Sequence, residues 1–292
     1  MTGRIIKAIA GFYYVHVVGD GTYACRAKGA FRKEKKTPLV GDIVDIEVTH
    51  EGDKEGNVVR IHERSCALDR PPVANVDQAL IIFAATSPEP NLNLLDRFLI
   101  MMEQHDIPVI IGINKIDLVE DDEVARLKAV YEATGYPMIF YSVKEERGME
   151  ALRAALEGKL TTVAGPSGVG KSSLINKLQS EVEMEVGDLS AKIERGKQTT
   201  RHTELIPVNE ETYIFDTPGF STLFVPEVEP EELGVLFPEF REPSTQCKFR
   251  GCAHMAEPGC KVKEAVENGS ISASRYENYR LFYEERKNTK KY

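Results

Sequence analysis

Tryptophan is absent from the 292 residues, and no apolar run is longer than Ala79–Ala85. A bilayer-spanning helix needs roughly 20 apolar residues in a row, so no membrane contact is predicted. The opening MTGRIIKAIAGFYY lacks an apolar core of signal-peptide length followed by a small-residue cleavage site. A cytoplasmic protein is therefore expected. Cysteine is scarce and odd in number: five, of which three crowd into residues 247–260. That pattern suits metal binding in a reducing compartment better than a disulfide framework. An excess of positive charge is also missing. Lys and Arg total 37 against 46 Asp and Glu, a net −9, which argues against a generic nucleic-acid coat. No internal repeat is visible.

What is present is ordinary globular composition, 42% hydrophobic and 28% charged. At roughly 100–200 residues per domain, the length predicts two domains or three small ones. The charge is unevenly spread. Residues 1–64 hold eleven basic and nine acidic side chains, a balance of +2, which leaves −11 for the rest. Within that first part, Arg26–Lys36 (RAKGAFRKEKK) carries six basic residues and one Glu.

Up to about residue 68 the chain reads as short strands. IIKAIAGFYYVHVV, TYACRA, DIVDIEV and GNVVRIHE are separated by GDG, VGD and EGDKEG turn signals. Short strands at this spacing predict a small barrel. SCALDRPPVAN (65–75) reads as a linker. From Val76 onward, apolar strand-like runs alternate with helical spacing: DQALIIFAA, LNLLDRFLIMMEQH, IPVIIGI, DDEVARLKAVYEATG, PMIFYSV, GMEALRAALEG, LTTVAG and SSLINKLQ. This alternation predicts an α/β domain with a parallel sheet covered on both faces. TELIPV and TYIFDTPG end it near residue 220. An acidic, proline-punctuated stretch that reads as helical, a Cys/His cluster and a helical tail follow. Cys25 and Cys66 stand apart and read as small core residues.

Gly165-Pro166-Ser167-Gly168-Val169-Gly170-Lys171-Ser172 fits GxxxxGK[ST] in full. Small residues let consecutive N–H groups wrap phosphates. Lys171 would face the β and γ phosphates, and Ser172, followed by Ser173, would give a hydroxyl to Mg2+. The strand before the loop and the helix after it are the context this chemistry requires. Asn114-Lys115-Ile116-Asp117 resembles the NKxD guanine-specificity motif. A carboxylate at Asp117 accepts from guanine N1–H and the 2-amino group, and adenine would leave it unpaired. Lys115 would lie along the base, and Asn114 would tie this loop to the phosphate loop. Ser142-Val143-Lys144 would be the weak motif whose backbone supports the base. Asp216-Thr-Pro-Gly219 resembles DxxG: Asp216 reaches Mg2+, and the Gly219 N–H senses the γ-phosphate. Between the phosphate loop and DTPG lies Gly196-Lys-Gln-Thr-Thr-Arg-His202, where switch I belongs. Thr200, with Thr199 as the alternative, would complete the Mg2+ shell.

The order of these motifs is informative. NKID precedes the phosphate loop, so the set runs base motifs, phosphate loop, switch I, DTPG. That is a circular permutation of a GTPase domain, tolerable because domain termini often lie close together. It ties switch II directly to whatever follows residue 220. There, Cys247-x4-Cys252-x-His254-x5-Cys260 offers three thiolates and one imidazole. This is a closed tetrahedral set, and it reads as one structural Zn2+.

Together these features resemble the RsgA (YjeQ/YloQ) family of ribosome-associated GTPases over essentially the whole chain. The resemblance implies an RNA-binding OB-fold over 1–68, a circularly permuted P-loop GTPase domain over 69–221 and a zinc-binding helical domain over 222–292. It implies binding to the small (30S) ribosomal subunit and its 16S rRNA. It also implies subunit-stimulated hydrolysis of GTP to GDP and phosphate, late in subunit maturation, with Mg2+ beside the nucleotide. A monomer is expected. Ras-like enzymes orient the attacking water with a Gln directly after the DxxG glycine; here Phe220, then Ser221, follows Gly219. The family's switch I His in a (K/Q)HTT-type motif is matched here by Gln198. Gln198 or His202 is the candidate for that role.

Overall fold

The computed structural model describes residues 1–28, 31, 36–69, 72–185, 204–216 and 225–289. Strands β1 (Thr2–Ile9), β2 (Phe12–Val17), β3 (Gly21–Ala27), β4 (Ile43–His50) and β5 (Glu55–Ile61) close a barrel in the order β1-β2-β3-β5-β4. Alternation with a period of two sends Val15, Val17, Tyr23, Cys25, Val44 and Ile46 inward. β3 and β5 pair in parallel while the other pairs are antiparallel, the Greek-key closure of an OB-fold. The run IIKAIAGFYYVHVV is two strands rather than one. Ala10 and Gly11 both take positive φ, 51° and 84°, and form the two-residue turn that right-twisted hairpins favour. Ala-Gly is a faint turn signal beside the usual Asn-Gly, so the sequence does not announce the break. The expected linker is itself folded: β6 (Ala67–Asp69) and β7 (Pro72–Ala74) pair as a short hairpin.

Strands β8 (Gln78–Ala84), β9 (Val109–Asn114), β10 (Met138–Phe140), β11 (Leu160–Ala164), β12 (Leu205–Pro207) and β13 (Tyr213–Asp216) form one sheet in the order β10-β9-β8-β11-β13-β12. β8, β9 and β11 are buried at every residue, as parallel strands covered on both faces must be. Helix α1 (Leu92–Gln104) starts where Asn91 caps it, accepting from Leu94 N at 3.0 Å. It buries Leu95, Phe98, Leu99 and Met102 at helical spacing. Helices α2 (Asp121–Tyr131), α3 (Met149–Leu156) and α4 (Lys171–Glu185) follow in chain order.

Beyond Val225 the proline-rich stretch forms 3-10 segments at Pro230–Leu236 and Pro238–Phe240 instead of an α-helix. Proline opens each of them, where its missing N–H costs nothing. Three helices come next: α5 (Arg241–Ser244), α6 (Lys261–Glu267) and α7 (Ala273–Asn288). Phe237, Phe240, Tyr279 and Phe282 make an aromatic core with Ile100 of α1. The described residues fall into two compact units. One comprises Met1–Gln78, Arg153–Val163 and Ser172–Gly219; the other comprises Ala79–Leu152, Ala164–Lys171 and Phe220–Tyr292.

Within the second unit, a buried polar cluster fixes α7 against α1. Arg275, 1% exposed, donates from Nε and Nη2 to both Glu239 carboxylate oxygens at 2.7 and 3.1 Å. Its Nη1 lies 2.7 Å from Asp96 Oδ1, close enough for an ion pair but outside hydrogen-bond alignment. Asp96 also accepts from Tyr131 Oη at 2.9 Å and from Asn278 Nδ2 at 2.6 Å. Burial pushes the Asp96 carboxyl up against the pull of the guanidinium. At the rim, Arg97 pairs with Glu285. The C-terminal helices are therefore anchored on α1, a contact that nothing in the local sequence announces.

Candidate nucleotide site and metal centre

The buried strand β9 ends at Asn114, and this side chain, 3% exposed, ties three loops together. Its Nδ2 donates to Val169 O at 2.9 Å. Its Oδ1 accepts from Lys115 N at 2.7 Å and Val143 N at 3.4 Å. The NKID, SVK and phosphate-loop segments thus converge inside one compact unit, although 55 residues separate Asn114 from Val169. Lys115, at φ 62°, donates from Nζ to Gly168 O at 2.8 Å and also to Ser87 O. Ser142 donates its hydroxyl to Asp117 Oδ1 at 2.6 Å and accepts from Glu145 N at 3.1 Å. An ionised carboxylate offers about four acceptor sites, so Asp117 keeps capacity for two guanine N–H donors. The hydroxyl of Ser142 and the carbonyl of Ser87 are contributions that motif reading missed. The first lies inside a recognised motif, whereas the second has no sequence signal.

The phosphate loop leaves β11 and turns into α4 at Lys171. Two of its glycines are there for space. A Cβ on Gly165 (φ 143°) would sit 2.1 Å from Ile82 O, and one on Gly170 (φ 97°) 2.3 Å from Asn114 Nδ2. Val169 is fully buried and pins the loop, while Ser167 and Gly168 are exposed and Pro166 is half-buried. Lys171 Nζ donates to Gly165 O and Pro166 O at 2.8 and 2.7 Å. Ser172 and Ser173 stand exposed in the first turn of α4, where backbone N–H groups and the helix dipole favour anions. Asp216 ends β13, paired with Val163 of β11 two residues ahead of Gly165; its side chain lies outside the described part. Gln198, Thr199, Thr200, His202 and Gly219 lie outside the described residues.

Cys247, Cys252, His254 and Cys260 come together, with their ligand atoms all within 4.8 Å of one another. His254 Nδ1 is 3.7 Å from Cys247 Sγ and 3.4 Å from Cys260 Sγ. Tetrahedral Zn2+ with bonds of about 2.0–2.3 Å requires ligand separations of roughly 3.5–3.8 Å, so the set fits the metal. Burial pushes the Cys252 thiol up to about 12 and that of Cys260 upward; a bound cation is what makes such thiols shed their protons. Supports that the motif does not contain hold the loop. Glu257 accepts from Ala253 N and Met255 N, both at 2.9 Å. Tyr276 and Tyr279 donate to His254 O and Ala253 O at 2.7 and 2.6 Å. The i, i+3 spacing of the two tyrosines is the trace of this in the sequence. Cys25 is fully buried in the barrel, as expected of a core residue, and Cys66 is half-buried. Among the described residues, no helix is long and apolar enough to cross a membrane.

Comparison with known proteins agrees with this geometry. Residues 61–226 match the family model described as RsgA GTPase, and residues 2–58 match that of the RsgA N-terminal domain. The chain is 54% identical to the small ribosomal subunit biogenesis GTPase RsgA of Agathobacter rectalis, with all of both chains covered. The protein of the same name from Geobacillus sp. is 48% identical over 99% of this chain and 98% of that one. Among solved structures, YloQ, titled a circularly permuted GTPase, superposes with a TM-score of 0.82 at 42% identity, covering 100% of this chain and 96% of the other. YjeQ from Thermotoga maritima also reaches 0.82, at 34% identity with 99% of each chain covered. A guanine-type loop locked onto a phosphate loop in inverted chain order, a five-stranded barrel and a Cys3His cluster thus meet in a single chain, which belongs to the RsgA GTPase family and is a GTP hydrolase with a circularly permuted GTPase domain.

Proposed function

We propose that this GTPase binds the small (30S) ribosomal subunit and hydrolyses GTP to GDP and phosphate late in that subunit's maturation. The partner comes from the relatives, which are named small ribosomal subunit biogenesis GTPases. The observation that carries the nucleotide half is the Asn114 bridge between the base motifs and the phosphate loop. In this reading Asp117 accepts from guanine and Lys115 flanks the base. Residues 165–173 cradle the phosphates, with Lys171 exchanging its two loop carbonyls for phosphate oxygens. Mg2+ would be held by oxygen donors alone, Ser172, Thr200 and Asp216, the ligand type a hard cation selects. It neutralises charge on the β and γ phosphates. Gly219 senses the γ-phosphate, and Gln198 or His202 orients the attacking water. Zn2+ on Cys247, Cys252, His254 and Cys260 is structural, because four protein ligands leave no open position.

The barrel (1–68) precedes and the zinc-binding helices (222–292) follow the GTPase domain (69–221) in the chain, and both touch 16S rRNA. The chain acts as a monomer in the cytoplasm. Residues 217–224 link Asp216 to Val225, which is 3% exposed in the aromatic core, so switch II runs straight into the C-terminal module. Slow hydrolysis of free GTP accelerated by small subunits is the expected behaviour. In the same assay, Asp117→Asn should lose GTP turnover and gain turnover of xanthosine triphosphate, whose 2-oxo group pairs with an amide. Unchanged nucleotide preference would remove the guanine assignment. Turnover indifferent to small subunits would remove the ribosomal one.

A further inference from the structure

Phe249 stands out among the exposed apolar side chains. Six large apolar side chains are exposed among the described residues; Phe249, at 45%, is the one aromatic ring in that group. It lies between the candidate zinc ligands Cys247 and Cys252, in the segment Cys247-Lys-Phe-Arg-Gly-Cys252. Both ends of this loop are therefore pinned. Lys248 N donates to Gly259 O at 3.2 Å, and Gly251 reverses the chain at φ 68°. The ring is presented by a short, fastened turn rather than by a loose tail. Its neighbours are cations: Lys248 Nζ lies 5.6 Å from the ring centroid, and both Lys248 and Arg250 are exposed.

The charge around it has the opposite sign from the chain as a whole. Residues 247–263 carry Lys248, Arg250, Lys261 and Lys263 against Glu257, a balance of +3 in a protein of net −9. Three thiolates with one Zn2+ would add −1 and leave +2. Glu257 is turned inward to cap Ala253 N and Met255 N. Lys261 is engaged by Glu264 and Lys263 Nζ donates to Glu257 O at 3.4 Å, which leaves Lys248 and Arg250 as the cations beside the ring in the chain. A single exposed apolar residue needs no explanation. An aromatic ring between two cations on a metal-fastened turn matches what unpaired nucleotides require: a flat face for the base and positive charge for its phosphates.

We propose that Phe249 is a stacking platform for an unpaired base of the small-subunit RNA, with Lys248 and Arg250 contacting the flanking phosphates. This rests on the ribosomal reading above and assigns part of its contact surface. The test uses the full-length, zinc-loaded protein and purified small subunits, with binding followed by co-sedimentation. Phe249→Leu keeps apolar bulk but loses the flat ring, and it should weaken binding about tenfold. Phe249→Tyr should bind within about twofold of the unaltered protein, because stacking survives. Lys248→Ala with Arg250→Ala should flatten the dependence of affinity on salt, as expected when two phosphate contacts are lost. Zinc content and subunit-free GTP hydrolysis should be unchanged in all three, which excludes unfolding. Binding by Phe249→Leu equal to that of the unaltered protein would overturn the stacking assignment, as would Phe249→Tyr failing alongside it. If the unaltered protein does not sediment with small subunits, the ribosomal reading itself fails and this assignment falls with it.

Discussion

The barrel meets strands β12 and β13 through Lys7–Glu204, a pair 30% and 42% exposed, and through His16 Nδ1, 2.7 Å from the Tyr213 hydroxyl. The C-terminal helices meet α1 through Arg275, Asp96 and Glu239, whose side chains are at most 1% exposed. The Lys7–Glu204 pair is close to neutral, because water solvates its partners almost as well as they solvate each other. The second kind has no such fallback: a charge left without its partner in a dry site costs several kcal/mol. The buried cluster specifies where α7 sits and penalises every alternative, whereas the solvent-exposed Lys7–Glu204 pair holds its place at little cost in either direction.

Arg275→Ala should test this contrast most severely. It strands Asp96 and Glu239, and a loss of about 3–5 kcal/mol is expected in denaturant unfolding. The sharper version replaces Arg275, Asp96 and Glu239 together by apolar residues of similar volume; near-native stability there would show that the cluster serves placement more than net stability. Chelation of zinc comes next. The four side chains converge within 4.8 Å of one another, and without the proposed metal they lose the bonds that would join them, so limited proteolysis should cut within 247–260 while the barrel stays protected. An uncut loop would mean that Tyr276, Tyr279 and Glu257 hold it unaided.

Arg97→Ala should cost about 1 kcal/mol, since Glu285 is 37% exposed and can turn to water. A loss as large as that of Arg275→Ala would erase the distinction between rim and core. For the barrel, Lys7→Ala and Glu204→Ala combined in a double-mutant cycle should give a coupling of about 0.5 kcal/mol or less that fades in high salt.

The smallest effect concerns acid. Burial holds His16 below its ordinary 6.5, against the opposing pull of Glu210. The unfolded chain therefore takes up a proton first, so stability is complete above pH 6.5 and declines as pH falls from there through the folded value. His16→Asn should remove that decline, detected as an altered slope of stability against pH. An unchanged slope would place the titration elsewhere.

Much of this site was legible beforehand. Gly165–Ser172, Asn114–Asp117 and Cys247–Cys260 are short segments whose chemistry depends on local spacing, so their residue types announce it. The β8, β9 and β11 runs were equally plain, because strands buried on both faces must be apolar throughout. The hairpin turn at Ala10–Gly11 and the 3-10 segments from Pro230 onward differ from what the sequence pattern predicts. Each rests on backbone conformations that Ala, Glu and Leu do not advertise. The supports of the metal loop were invisible for another reason: a tyrosine hydroxyl reveals nothing about which carbonyl it will meet.

The sequence by itself determined the chemistry available: a phosphate loop, a guanine-type carboxylate, a Cys3His set and their inverted order. Tertiary structure decided which of these share a place. Asn114 reaches Val169 across 55 residues, and Asn278 reaches Asp96 across 182. One charged residue in a sequence does not name its partner. Only the packing of α7 on α1 removes the water that would otherwise satisfy Arg275, and so makes Asp96 and Glu239 necessary.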